Sequence, residues 1–364
     1  PILCTRRQNL WHTNLARRTG FRVLSRTDRS NQKTRDTVAN RAGVDTLYLV
    51  RARNSMNDFD TAQAQYQCGR SRQKPAQPRK DSYPRHVYRR IRVPGTPAHS
   101  ACASWLEATM ARFADTVIVQ GFKERAYDGT VLRGKNIISS FNPENKKRVL
   151  LCAHWDSRPY ADYDPDVSVH DQPIDGANDG ASGVGVLIEI ARQFSMQHPS
   201  IGVDIIFFDI EDYGPPQDQQ STETENWGLG SQYWSRNPHL TGYRARYGIL
   251  LDMVGVKDAT FLMEGFSMMY APSKVKKVWN VAARMGYDDY FVDERGGYIT
   301  DDHYYVNKII NIPTINIIHL ENESVNGSFF EHWHTVNDNM EHIDRTTLNV
   351  VGRVVMEVIY FEKG

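Results

Sequence analysis

The stretch VLLCAHWDSRPYADYD, residues 149–164, begins as an apolar run and then turns abruptly polar at His154, Asp156, Arg158 and Asp162. A strand that merely leaves a protein core ends in turn residues such as Gly, Asn or Pro. Histidine and aspartate are instead side chains that bind metals or transfer protons. The pattern therefore predicts a buried strand that ends in a functional site.

Three further apolar runs also carry acids or histidine at their carboxyl ends. They are VDIIFFDIED (203–212) with Asp209, Glu211 and Asp212, YGILLDMVG (247–255) with Asp252, and IPTINIIHL (312–320) with His319. In open α/β sheets, ligands bind outside the carboxyl ends of the parallel strands. We therefore expect residues that are distant in sequence to converge in one cleft.

Loops add more metal-binding side chains to these strand ends. The segment DGANDGASG (175–183) surrounds Asp179 with small residues, which let a backbone approach a ligand closely. The segments TDDH (300–303) and EHWHT (331–335) add further acids and histidines. Carboxylates crowded at one place raise one another's pKa, and a divalent cation removes that cost. Aspartate, glutamate and neutral imidazole suit zinc, whose catalytic sites keep three protein ligands and one open position.

Each candidate also has a structural interpretation when it is taken alone. Asp179 could cap a helix, Glu211 and Asp212 could be solvated charges at a strand end, and His334 beside Trp333 could be a surface pair. The joint occurrence of these residue types at several strand ends and loops favours a metal site over the separate interpretations.

The elements that position these residues alternate along the chain. Apolar periodicity predicts helices over 96–114, 179–198, 273–286 and 345–362, and strands over 148–156, 203–212, 247–255 and 312–320. Near-continuous apolar strands that alternate with helices are typical of a mostly parallel sheet covered on both faces. The sequence therefore predicts a three-layer α/β fold.

The first quarter of the chain has a different character. Residues 1–92 contain 18 Arg, 3 Lys, 6 Asp and no Glu, whereas the remainder is acidic. Residues 1–91 show no sustained apolar period, so we expect them to be a basic extension, disordered or not an authentic coding segment, before a catalytic domain over 92–364. A basic segment can bind nucleic acid or acidic membranes, but we expect no nucleic-acid partner here. No run is long and apolar enough to predict a membrane span, and no secretory signal pattern is visible.

The ordered motifs resemble the zinc aminopeptidase-like hydrolases and, more narrowly, the glutaminyl cyclases of animal type in their bacterial form. The resemblance covers about residues 92–364 and includes RVPGTPAHSACASWL (92–106), HWDS (154–157), NDGASG (178–183), FFDIED (207–212), LLDMVG (250–255), TDDH and EHWHT. TDDH and EHWHT favour the cyclases over the peptidases. The resemblance implies a zinc aminopeptidase-like fold.

The resemblance also implies a reaction and a role for nine residues. Such an enzyme converts the N-terminal glutamine of peptides or proteins to 5-oxoproline with release of ammonia, and one zinc ion per chain is expected. The implied roles are zinc ligation by Asp179, Asp212 and His334, proton transfer by Glu211, orientation of the leaving amide by the pair Asp252 and Asp301, and lining of the substrate pocket by Trp333, Phe329 and Trp227. Because the bacterial relatives are exported, the resemblance implies a periplasmic or otherwise exported protein.

Two questions stay open at this point. The animal enzymes carry a histidine where this chain has Asn316, three residues after Pro313, so either Asn316 or His319 could complete the acid network. The main alternative function is a two-zinc aminopeptidase, in which His154 and Asp252 bind a second ion and Asp179 bridges the two. A binding domain that has lost its metal is disfavoured, because every ligand position is filled.

Overall fold

The fold is centred on a six-stranded sheet in a computed structural model that describes residues 91–219, 224–321 and 329–363. All of these residues belong to one compact unit. The predicted basic extension over 1–91 lies outside the described residues, except for Ile91, and stays a prediction.

The helices and strands alternate along the chain from residue 97 onward. The helices are α1 (Pro97–Met110), α2 (Ala181–Met196), α3 (Leu229–Arg236), α4 (Gly265–Tyr270), α5 (Pro272–Arg284), α6 (Asp302–Tyr305), which continues into a π-helical turn (Val306–Ile310), and α7 (Arg345–Tyr360). The strands are β1 (Thr116–Arg125), β2 (Val131–Phe141), β3 (Arg148–His154), β4 (Gly202–Phe208), β5 (Gly248–Asp252), β6 (Phe261–Met263), β7 (Phe291–Arg295) and β8 (Thr314–Ile318).

The central sheet has the strand order β1-β2-β4-β3-β5-β8, and β6 and β7 form a separate two-stranded sheet. Strands β4, β3, β5 and β8 run parallel to one another. Strands β1 and β2 form an antiparallel hairpin that joins the sheet beside β4. The predicted α/β class with a mostly parallel sheet is therefore confirmed, and the antiparallel hairpin is an addition that was not predicted.

Helices cover both faces of this sheet. On one face α2 lies so close that a Cβ atom on Gly183 would stand 2.1 Å from the carbonyl oxygen of Leu251, which only glycine permits. On the other face, Cys152 of β3 packs in one apolar cluster with Trp234 of α3 and Val306 of the π-helical turn. These contacts produce the three layers that the sequence predicts.

The four parallel strands point their carboxyl ends toward the same edge of the sheet. Strand β3 ends at His154, β5 ends at Asp252, and the chain leaves β4 toward Glu211 and Asp212. Along the part of the chain that the structure describes, no helix combines the length and the apolar character needed to cross a membrane.

Candidate active site and metal centre

Asp179, Asp212 and His334 form a buried cluster of possible metal ligands at this edge. His334 Nε2 lies 3.2 Å from Asp212 Oδ1 and 3.5 Å from Asp179 Oδ2. A tetrahedral zinc ion with ligands at about 2.0–2.1 Å separates its ligand atoms by about 3.3 Å. The spacing of these three side chains therefore fits a zinc ion.

A second cluster shares Asp179 with the first and adds His154 and Asp252. His154 Nε2 lies 2.9 Å from Asp179 Oδ1 and 3.3 Å from Asp252 Oδ1. The two carboxylate oxygens of Asp179 thus face different groups, which is the arrangement of a bridging ligand. The geometry can accommodate a second ion beside the first.

Several buried polar atoms in these clusters have no hydrogen-bond partner. They are both ring nitrogens of His154, Nδ1 of His334 and Oδ2 of Asp212. His154 Nε2 is close to the carboxylates of Asp179 and Asp252, but its angles to them are not those of a hydrogen bond. Burial alone would lower the pKa of His154, but Asp156, Asp179 and Asp252 together raise it well above its ordinary value. A cluster that draws protons onto buried imidazoles needs positive charge, and a divalent cation supplies that charge. The donor set therefore fits a metal ion.

Asp179 lies in the loop before α2, and the buried carboxylate of Asp338 holds this loop in place. Asp338 accepts hydrogen bonds from the backbone N–H groups of Asn178 at 2.8 Å and of Asp179 at 3.0 Å. Gly180 follows with φ of 79°, and a Cβ atom there would lie 2.6 Å from the His154 ring. Asp338 was not singled out from the sequence, because a lone acid after EHWHT resembles an ordinary loop residue.

The turn after β4 positions Glu211 and Asp212. Asp156 accepts hydrogen bonds from the backbone N–H groups of both residues, each at 3.1 Å. Arg158 is fully buried, forms two 2.7 Å hydrogen bonds to Asp162, and donates to the carbonyl oxygen of Asp212 at 3.2 Å. The polar residues that follow β3 therefore shape the site, whereas His154, the last residue of β3, belongs to a possible metal-binding group.

Glu211 lines a cavity beside Asp179, Asp212 and His334, and it carries an elevated pKa. Burial raises this pKa well above its ordinary value; His154 opposes the shift, and the negative charges of Asp301 and Asp212 add to it. A carboxyl group with a raised pKa can exchange protons near neutral pH, as a general acid–base catalyst must.

Asp252 and Asp301 line the same cavity, and Asp301 accepts hydrogen bonds from Asn316 and Asp302. Asp301 Oδ2 accepts a 2.6 Å hydrogen bond from Asn316 Nδ2, and its Oδ1 accepts from the backbone N–H of Asp302. Burial and the charge of Asp252 raise the pKa of Asp301 to about 7. Asn316 therefore contacts the acid network directly.

His319 and Asp209, in contrast, lie outside the cavity, which corrects the expectation that all strand-end residues converge. His319 Nδ1 contacts the backbone of Thr260, and its Nε2 lies 3.0 Å from Glu321. Asp209 pairs with His99 Nε2 at 2.7 Å below the turn. In a regular strand, Asp209 and Glu211 would lie on the same face. The positive φ of 55° at Ile210 breaks this alternation, so Asp209 does not share the position of Glu211.

Glu264 is a buried acid that supports the Asp301 loop and that the sequence analysis missed. Its carboxylate accepts hydrogen bonds from the backbone N–H of Ile299 at 3.0 Å and from the hydroxyl of Ser267 at 2.6 Å, and it pairs with His303 Nε2 at 2.9 Å. The Ser267 hydroxyl in turn accepts from the backbone N–H of Asn316. No signal in the sequence distinguishes this acid from an ordinary helix cap.

Aromatic side chains form the apolar walls of the cavity, whose volume is about 290 Å³. Trp333 stacks on the His334 ring at 3.7 Å and lies 4.3 Å from the Phe329 ring at a tilt of 35°. Trp227 lies nearly parallel to His334 at 6.5 Å. The structure thus brings all nine predicted site residues into the wall of one cavity, namely Asp179, Glu211, Asp212, Trp227, Asp252, Asp301, Phe329, Trp333 and His334.

Comparison with known proteins places this site in a family. Residues 136–359 match the sequence pattern of Peptidase family M28. This chain belongs to family M28. A glutaminyl cyclase from Bacteroides thetaiotaomicron, solved with N-acetylhistamine bound, is 53% identical with a TM-score of 0.73, and the match covers 75% of this chain and 93% of that one.

This chain is also similar to two further proteins, whose described activities differ. A Zn-dependent exopeptidase from Parabacteroides distasonis is 54% identical with a TM-score of 0.73, over 75% of this chain and 93% of that one. The glutaminyl-peptide cyclotransferase of Bos taurus is 27% identical over 295 residues, which are 72% of this chain and 76% of the bovine protein. The M28 member described here is therefore similar both to cyclases and to a protein described as an exopeptidase.

Proposed function

We propose that this M28 protein is a zinc-dependent glutaminyl-peptide cyclotransferase that converts N-terminal glutamine to 5-oxoproline, the pyroglutamyl residue, and releases ammonia. The observation that carries the proposal is the cavity in which the metal cluster, Glu211 and Asp301 meet an aromatic wall. The similarity to the Bacteroides glutaminyl cyclase over nearly that protein's whole length supports it.

We assign the metal to Asp179, Asp212 and His334, the cluster nearest to the stacked Trp333. A zinc ion held there would polarise the γ-carbonyl of the glutamine and stabilise the negative charge that develops on its oxygen. Asp338 and Asp156 keep the ligands at their spacing by binding the backbone on either side of the cluster.

Glu211 is assigned the proton transfer. The α-amine of the substrate attacks the γ-amide carbon, so a C–N bond forms and the bond to the amide nitrogen breaks. Glu211 takes a proton from the attacking amine and returns it to the departing nitrogen, which leaves as ammonia. The raised pKa of Glu211 suits a group that must alternate between its two protonation states.

Asp301 and Asp252 are assigned to orient the leaving amide. Asn316 holds one oxygen of Asp301 with a short hydrogen bond, which fixes the carboxyl group in the cavity wall. Because the pKa of Asp301 is raised to about 7, its carboxyl group can be neutral. A neutral carboxyl group can accept a hydrogen bond from the amide or donate one to it. Trp333, Phe329 and Trp227 form the apolar walls that exclude water, which the reaction does not consume.

The second candidate function is a two-zinc aminopeptidase, and the cluster of His154, Asp179 and Asp252 favours it. In that reaction Glu211 would activate a water molecule to cleave the first peptide bond. The match to family M28 and the structure described as a Zn-dependent exopeptidase, at 54% identity, support the peptidase function. The glutaminyl cyclase structure at 53% identity and the bovine glutaminyl-peptide cyclotransferase support the cyclase function.

The number of zinc ions and the release of ammonia separate the two candidates. We expect elemental analysis of the purified chain to find one zinc per chain, and an ammonia assay to detect turnover with a Gln-initiated peptide. Two zinc ions together with ammonia-free hydrolysis would support the aminopeptidase instead. Export from the cytoplasm, which the resemblance implies, stays a prediction.

A further inference from the structure

Tyr298 combines high exposure with a fixed position at the wall of the cavity. Its side chain is 62% exposed, although it lines the same cavity as Asp301. The ring lies against the backbone of Gly265, where a Cβ atom would approach a ring carbon to 2.6 Å. The ring also packs edge-on against Phe266, with 5.1 Å between centroids. Tyr298 is therefore an exposed aromatic surface that is held from behind.

The backbone on both sides of Tyr298 is tied to the buried start of α4. Gly297 accepts a 2.7 Å hydrogen bond from the N–H of Gly265, and Ile299 donates a 3.0 Å hydrogen bond to Glu264. A ring that is already fixed loses little conformational entropy when a ligand packs on it. The fixed ring of Tyr298 is therefore better suited to bind a ligand than the ring of a surface tyrosine that moves freely.

The cavity is too small to enclose a whole peptide or protein substrate. Its volume of about 290 Å³ is near the lower limit, roughly 300 Å³, of pockets that hold small ligands. The chain that follows an N-terminal glutamine must therefore leave the cavity across its rim. Tyr298 lies on that rim, three residues before Asp301.

We propose that Tyr298 forms a subsite for the side chain of the second residue of the peptide, and that this subsite prefers aromatic and large aliphatic residues. The inference rests on the proposed cyclotransferase function and adds its substrate preference. An aromatic or apolar side chain that packs on such a ring gains affinity by roughly two- to tenfold.

The test compares peptides that begin with Gln-Phe, Gln-Leu and Gln-Gly and are otherwise identical. We expect the wild-type protein to show a KM roughly two- to tenfold lower for Gln-Phe and Gln-Leu than for Gln-Gly, with similar kcat. Tyr298→Ala should raise the KM of the first two peptides to that of Gln-Gly and leave Gln-Gly unchanged. Tyr298→Phe should retain the preference, because the ring and not the hydroxyl forms the surface.

Tyr270→Ala is the matched control. Tyr270 is 38% exposed and its ring lies 6.4 Å from that of Phe266, but it does not line the cavity. This variant should keep the wild-type preference. The melting temperature of each variant shows whether it is folded, and Tyr298→Thr gives the same comparison if the alanine variant is not.

Three results would overturn the subsite. They are equal KM values for the three peptides with the wild-type protein, a preference that survives in Tyr298→Ala, and a preference that is lost equally in Tyr270→Ala. Failure of the proposed function has a different appearance, because then no peptide, including Gln-Gly, would release ammonia.

Discussion

Replacement of Glu264 by Gln tests how the Asp301 loop is held in place. The Glu264 side chain is fully buried, and its carboxylate accepts hydrogen bonds from Phe266, Ser267 and Ile299 besides pairing with His303. Glutamine keeps the size of the side chain but removes its charge and turns one acceptor oxygen into a donor NH₂ group. At least one backbone N–H then faces a donor, and His303 loses its counter-ion.

The loss of stability expected for Glu264→Gln follows from the burial of the ion pair between Glu264 and His303. Breaking a buried ion pair by removing one partner costs about 3–5 kcal/mol, because the other charge stays buried. In large domains about 1 kcal/mol shifts the melting temperature by 2–4 °C, so we expect Glu264→Gln to lower it by roughly 6–20 °C. Turnover should fall as well, because the same carboxylate anchors Ile299 and, through Ser267, Asn316.

The destabilisation should also depend on pH in a defined sense. Burial raises the pKa of Glu264, but the charge and hydrogen bond of His303, together with hydrogen bonds from Ile299 and Ser267, lower it to about 2. The stabilisation from Glu264 is therefore present above its unfolded pKa of about 4.3 and is lost as the pH falls toward the folded value. His303, although burial opposes it, has its pKa raised by Glu264, so its contribution is complete below an unfolded pKa of about 6.5 and is lost as the pH rises through the folded value. The difference between wild type and variant should thus be largest between about pH 4.3 and 6.5.

Thermal unfolding followed by calorimetry, as a function of pH, measures this effect. Glu107→Gln is the matched control, because Glu107 is an exposed acid on α1. A melting temperature of Glu264→Gln within the change produced by Glu107→Gln, or a difference from wild type that does not vary with pH, would refute the reasoning.

The remaining predictions concern the site and the extent of the catalytic domain. Glu211→Gln should retain zinc but lower turnover by roughly 10²–10⁴, whereas His334→Ala should lose the metal as well, as elemental analysis beside kcat can establish. Asn316→Ala should lower turnover because Asp301 loses its donor, whereas His319→Ala should leave turnover near wild type; the reverse order would contradict the assignment of the acid network. A shortened chain that begins at Ile91 should fold, bind zinc and turn over normally, and a loss of solubility would indicate that the basic segment contributes to the fold.

The parallel part of the fold could be predicted because its signals are local. Strand β3 is buried along its whole length, so it reads as an unbroken apolar run that ends at His154. Strand β1, in contrast, is mostly exposed, and its residues show neither an apolar run nor a clean alternation. The hairpin that it forms with β2 depends on pairing with a neighbour, which periodicity in one strand does not reveal.

The site could be predicted only where the residue types themselves indicate a chemical role. Asp209 and Glu211 look alike in FFDIED, and the left-handed conformation of Ile210 is what separates them. This conformation is rare for a β-branched residue, so the sequence gives no warning of it. Glu264 was missed because its partners Ile299 and His303 lie far along the chain and become neighbours only after folding.

Mass spectrometry of a matched pair of peptides tests the central claim most directly. The purified protein is incubated with a peptide that begins with Gln and with one that begins with Leu but is otherwise identical. The cyclotransferase assignment predicts that the Gln peptide loses the mass of one ammonia molecule at unchanged chain length, while the Leu peptide stays intact. Shortening of either peptide by its first residue, without loss of ammonia from the Gln peptide, would contradict the assignment and identify the protein as an aminopeptidase.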